Sequence, residues 1–162
     1  MTPQQFVPFL VVLIPTLFVV IWLGIGLLLG LMTGWYRLMA AFPDRDEQPL
    51  LKLTWQSGAM GLGVNMNRVL KIGVCPSGLR LGMMRIFGPL CRDFLVPWQE
   101  IGLEHRKILF WPVVKLSFGN PVVGSLIVRA SLAERLAAAA GDRWPERDPA
   151  PPQAREGVVT RR

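Results

Sequence analysis

Apolar positions fall into three patterns along this chain, and each predicts a different kind of element. From Phe6 to Trp35 they are almost unbroken, and no charged side chain occurs before Arg37. Such a run exceeds the ~20 residues, at ~1.5 Å rise each, that carry a helix across the hydrocarbon core of a bilayer. A helix is expected because it satisfies its own backbone polar groups where water is absent. Between Leu50 and Arg129 the apolar residues come in short, mixed or alternating runs broken by Gly, Pro and Asn, the pattern of a small β domain. Strands are expected over Leu50–Trp55, Arg68–Cys75, Leu79–Ile86, Cys91–Val96, Trp98–Leu103, Leu109–Phe118 and Val122–Val128, with turns at Pro76-Ser77-Gly78 and Gly119-Asn120-Pro121. The third pattern is alanine-rich. It opens with Ser131 and Glu134 at capping-box spacing and closes at Gly141, so one short helix should follow the sheet.

These patterns divide the chain into a transmembrane anchor over residues 1–36, a juxtamembrane linker over 37–49, a β domain with its C-terminal helix over 50–141, and a tail over 142–162. The tail is mostly Pro, Arg, Asp and Glu and is expected to be disordered, because it has too little apolar surface to offset the entropy of ordering. Pro8 suits a first helical turn, whereas Pro15 should kink the span. Trp35 and Tyr36, next to Arg37, are expected in an interfacial aromatic belt. A cleaved signal peptide would need a basic leading region, a shorter apolar core and a small-residue cleavage site, and these features are missing.

Composition adds a contrast between the two ends. Of 162 residues 51% are hydrophobic and the mean hydropathy is +0.37, but that apolarity is concentrated at the N-terminus. The formal charge is +7, and residues 37–129 hold twelve Lys and Arg against six Asp and Glu, which places six of those positive charges in the linker and β domain. Because Lys and Arg accumulate on the cytoplasmic side, Arg37, Arg45 and Lys52 predict an N-terminus outside and a cytoplasmic domain. Cys75 and Cys91 are then expected as reduced thiols. A basic domain held on the inner leaflet would attract anionic headgroups, with Lys71, Arg80, Arg85, Arg92, Arg106, Lys107 and Lys115 as the candidate contacts. The alternative is an ordinary solvated basic surface. Nucleic acid is not an expected partner, since no basic helix or aromatic-platform motif accompanies the charge.

Gly26, Gly30 and Gly34 stand four apart, a spacing that offers a smooth helix face for close packing, and homodimerisation through the span is the use it predicts. Leu109-Phe110-Trp111-Pro112-Val113-Val114-Lys115 is read as core strand in preference to a patch dipping into the interface. Catalytic chemistry has few candidates. His105 is the single histidine, so an enzyme would have to use Glu100, Glu104 and His105 at a shallow site. Alternation along one strand would put Glu100 and Glu104 on one face, where a wet sheet face is the plainer explanation. Two Cys and one His match no zinc pattern, and Gly61-Leu62-Gly63 completes no phosphate loop; these glycines are expected at strand ends or bulges. No cofactor and no metal are expected.

Particular residues also carry a resemblance: Gly34-Trp35-Tyr36-Arg37-Leu38 with Phe42-Pro43, then Gln56-Ser57-Gly58, Asn65-Met66-Asn67, Gly78-Leu79-Arg80-Leu81 and Val96-Pro97-Trp98-Gln99-Glu100-Ile101. Together, over about Gly34 to Val128, they resemble a group of uncharacterised bacterial single-span membrane proteins with a pleckstrin-homology-like (PH-like) or GRAM-like domain. The resemblance implies an antiparallel β-sandwich or barrel closed by a C-terminal helix, in a bacterial inner membrane. It implies no activity. Where a Gly-His-Pro-Pro type of turn would be expected, this chain has Gly88-Pro89-Leu90, so any role of that histidine is absent.

Overall fold

The computed structural model describes residues 3–145. Among these, helix α1 (Pro3–Met32) leads into a short α2 (Trp35–Ala41). Seven strands follow: β1 (Leu51–Met60), β2 (Val64–Val74), β3 (Gly78–Met83), β4 (Phe94–Pro97), β5 (Ile101–Ile108), β6 (Trp111–Phe118) and β7 (Gly124–Arg129). Helix α3 (Ala130–Ala140) completes the domain. Within α1, Pro8–Met32 has a hydropathy of 2.7 and is long and apolar enough to cross a membrane. The helix runs on through Pro8 and Pro15. Its large side chains from Phe9 to Met32 mostly face outward, as a lipid-facing helix requires and a soluble core helix does not.

The strands form one antiparallel sheet in the order β4-β3-β2-β1-β7-β6-β5. β1 belongs to both halves. It pairs with β2 along most of its length, yet meets β7 only through Ala59 and Met60. The sheet turns at that point, after register shifts between Leu53 and Gly58. Gly58 permits the crossing, since a Cβ there would lie 2.9 Å from Leu126 and 3.0 Å from the Ile127 carbonyl oxygen. Alternation then decides what faces inward. Val114, Leu116 and Phe118 of β6 and Leu126 and Val128 of β7 are buried. On α3, Leu132, Ala133, Leu136 and Ala140 recur at helical spacing and cover the core against β2, β6 and β7.

Several boundaries differ from the sequence expectation for identifiable reasons. Trp35 belongs to the core instead of an interfacial belt, and Leu38 joins it from α2, where the start of the linker reads as a short amphipathic turn of helix; both are fully buried. Trp35 packs edge-on to Phe94 at 5.0 Å between ring centroids, and its indole N–H donates to the Arg92 carbonyl at 2.9 Å. β1 continues five residues beyond Trp55, because the tight turn comes at Gly61 and Gly63, both at positive φ. β3 stops at Met83 and β4 starts at Phe94, leaving a longer connection than Phe87–Leu90. Ala130 starts α3 with Arg129 as N-cap and no side-chain cap, so the capping box is not formed, whereas Gly141 does end the helix. Of the expected tail, Asp142 and Arg143 lie in a 3₁₀ turn and Trp144 packs on Trp98 at 6.0 Å. Residues 146–162 lie outside the described residues.

Candidate functional site

The site is built where α1 meets the sheet. Thr33 and Gly34 end α1, and Gly34 at φ 72 turns the chain so that α2 folds back on the helix it has just left. Tyr36 thereby lies on Gly30: a Cβ at Gly30 would come within 2.6 Å of the tyrosine ring. One turn further up α1, a Cβ at Gly26 would lie 3.1 Å from Pro89, in the β3–β4 connection. Higher still, the Trp22 indole N–H donates to the Ile86 carbonyl at 2.8 Å. The β1–β2 turn abuts the end of the helix, with Gly61 against the Met32 carbonyl. The face bearing Gly26 and Gly30 is thus occupied within the same chain, and Gly34 forms the bend instead of extending that face.

Strand pairing next to this contact gathers charge. Lys71 of β2 pairs with Gly82 of β3, and the space a Cβ at Gly82 would need is filled by the Asp93 carboxylate. Pairing of β3 with β4 brings together the two ends of their connection, which carry Arg85 and Arg92. The result is a concave site of about 740 Å³ lined by Lys71, Arg85, Arg92, Asp44 and Asp93, with Met39 and Pro89 as apolar walls. Burial raises the Asp93 pKa, although Lys71 opposes the shift. Cys91 also lines the hollow; the residue is 5% exposed, and burial raises the pKa of its thiol. The Tyr36 hydroxyl is buried without a hydrogen-bond partner.

The other basic candidates are placed elsewhere. Arg80 is engaged by the linker: its Nε donates to Asp44 at 2.8 Å and its Nη1 to the Glu47 carbonyl at 3.2 Å, with the Arg45 carbonyl as a further acceptor. It clamps residues 44–47 to the sheet and is not free for a ligand. Arg106, Lys107 and Lys115 lie along the β5–β6 ribbon, where Arg106 pairs with Glu104 at 2.7 Å and Lys115 is opposite Glu104 in register. The tip of that ribbon overturns the core-strand reading of its apolar run. Leu109, Phe110 and Trp111 are 85%, 94% and 71% exposed, and β6 enters the core only from Val114.

The carboxylate and histidine candidates do not share a hollow. Glu100 sits in the 3₁₀ turn Trp98–Glu100, so strand alternation does not align it with Glu104. Glu104 is fully exposed, with its pKa lowered by the hydrogen bond from Arg106, and His105 is its exposed neighbour on β5. Cys75 and Cys91 are both free and buried. Among the described residues no three His, Cys, Asp or Glu come together as a metal site would require. Sequence reasoning missed Trp22, Pro89 and the two aspartates. The available signal was the segment between Arg85 and Arg92, six residues without a charge held between two arginines.

Compared with models of known protein families, with characterised proteins and with solved structures, the chain matches none.

Proposed function

We propose that this protein is a non-enzymatic, single-span membrane module whose PH-like domain takes an anionic lipid headgroup in the cleft of Lys71, Arg85 and Arg92. α1 is the span, with its N-terminus outside and the domain on the cytoplasmic leaflet of a bacterial inner membrane. Strand order and the closing α3 support the PH-like assignment. The observation that carries the function is the convergence of three cations from β2 and from both ends of one connection, directly beside the apolar helix. Each cation near an anionic surface contributes about 1 kcal/mol. Asp44 does not cancel them, because Arg80 already holds it. The exposed tip at Leu109, Phe110 and Trp111 favours a second reading, in which the module also holds a membrane protein partner there.

Native mass spectrometry of the full chain in mild detergent tests the headgroup site. Phosphatidylglycerol should be retained over phosphatidylcholine, and Lys71→Gln with Arg85→Gln should remove the preference. Equal retention of the two lipids overturns the site. Protease added outside intact cells should leave the β domain uncut, and digestion from that side overturns the topology.

A further inference from the structure

We infer that Ile86, Phe87, Pro89 and Leu90 form a second membrane contact, a loop seated among the acyl chains of the leaflet beside α1. The inference rests on α1 being a span, and the loop's depth then follows from its contacts. Ile86 accepts the Trp22 hydrogen bond, and Pro89 covers Gly26. A span of about 20 residues placed anywhere within Pro8–Met32 starts between 8 and 13 and ends between 27 and 32, so every placement includes residues 13–27. Trp22 and Gly26 are therefore inside the hydrocarbon in each register, and the loop that touches them is at the same level.

The loop has the chemistry that level demands. Ile86, Phe87 and Leu90 are 70%, 46% and 49% exposed, and no charged side chain lies between Arg85 and Arg92. Non-helical backbone is tolerated at membrane depth only where its polar groups find partners. Here the Phe87 and Gly88 N–H groups donate to the Met84 carbonyl at 2.9 and 3.1 Å, and Cys91 N–H donates to Gly88 at 3.0 Å. Pro89 has no N–H and the Ile86 carbonyl is taken by Trp22, so of the loop's donors the Ile86 and Leu90 N–H groups alone have no backbone partner. Arg85 and Arg92, both exposed, bracket the loop and can reach headgroups while their stems lie along the apolar surface. That bracket limits insertion to a shallow seat and so selects the registers in which the span ends near residue 27. It also sets the cleft at phosphate level. A soluble partner fits poorly, since the loop is already fixed to the flank of the helix.

Depth-dependent quenching in the full chain tests this. An environment-sensitive fluorescent amino acid is encoded singly at Val19, Phe87, Leu90 or Gln99, and each protein is reconstituted in nanodiscs with or without a mixture of lipids carrying a nitroxide near the top or near the end of the acyl chain. Val19 lies on the exposed face of α1, and Gln99 lies beside Trp98, at the far end of the β3–β4 pair from the loop. We expect Val19, Phe87 and Leu90 to lose more than half their emission and Gln99 to keep it. Quenching at Val19 but at neither loop position overturns the loop insertion and leaves the span intact. No quenching at Val19 overturns the span, and the inference falls with it. Equal quenching at Gln99 also overturns it, because contact is then not confined to the loop.

Discussion

The β3–β4 connection and the β5–β6 tip are alike in composition: exposed apolar residues, one aromatic in the first and two in the second, and flanking cations. They differ in what holds them. The first is hydrogen-bonded to α1 through Trp22 and packed on Gly26, and its arginines converge with Lys71 on one cleft. The second is a free ribbon whose charges are strung along its length, one already paired with Glu104. Composition therefore says little about use. Two arginines that share a hollow are placed to act on one anion, whereas two that follow one another along a strand face different directions.

The sharpest way to break this comparison is to remove an aromatic from each region. Trp35 is fully buried, packs on Phe94 and holds the Arg92 carbonyl at the base of the connection. Trp35→Ala should destabilise the full chain by about 3–5 kcal/mol, the usual cost of emptying a large core site. Phe110→Ala should move stability by no more than about 0.5 kcal/mol, as expected for a side chain that touches almost nothing. Thermal unfolding in detergent, followed by near-ultraviolet circular dichroism, measures both. Similar losses would mean that the tip is covered and the two regions are not different in kind.

The next effect is on binding. Arg85→Gln with Arg92→Gln removes two converging cations, worth about 2 kcal/mol together, so affinity for phosphatidylglycerol should fall by roughly 30-fold. Arg106→Gln with Lys107→Gln removes the same formal charge from the ribbon and should leave that affinity nearly unchanged. A lipid titration of each double variant decides it. Equal losses would show that the whole basic surface acts as a diffuse attractor and that the cleft is not a site.

Much of the sheet was legible because its periodicity is local. Val114, Leu116 and Phe118 alternate with outward residues, and six strands overlap the apolar runs that predict them, whereas β5 starts only after the 3₁₀ turn Trp98–Glu100 and continues through the charged run Glu104–Lys107. The boundaries that moved depend on contacts the sequence does not display. Trp35 has the same chemistry in a membrane belt and in a core, and its fate is decided by Phe94, 59 positions away. Gly26, Gly30 and Gly34 look alike in sequence, but two receive side chains from the same chain and the third adopts a left-handed turn. The cleft was illegible for a related reason. Lys71 and the two ends of the connection become neighbours only through the β2–β3 and β3–β4 registers.

The smallest effect expected is also the one most specific to the cleft. Asp93 is held between Gly82 and Lys71, and burial raises its carboxyl above its ordinary value. Because the folded pKa exceeds the unfolded one, the ionised carboxylate costs stability above the usual carboxylate range, and that cost is relieved as pH falls through the raised value. Asp93→Asn should therefore raise the melting temperature at neutral pH, with the advantage closing on acidification. Binding follows the same sign. Protonating Asp93 leaves Lys71, Arg85 and Arg92 opposed by Asp44 alone, which is paired with Arg80, so phosphatidylglycerol should bind more tightly as pH falls. Asp93→Asn should bind more tightly at pH 7 and lose most of that pH dependence. The ribbon has no buried carboxylate: Glu104 is exposed with its pKa lowered, so its protonation acts only at lower pH than that of Asp93. If the pH dependence survives in Asp93→Asn, the anion is bound away from the cleft.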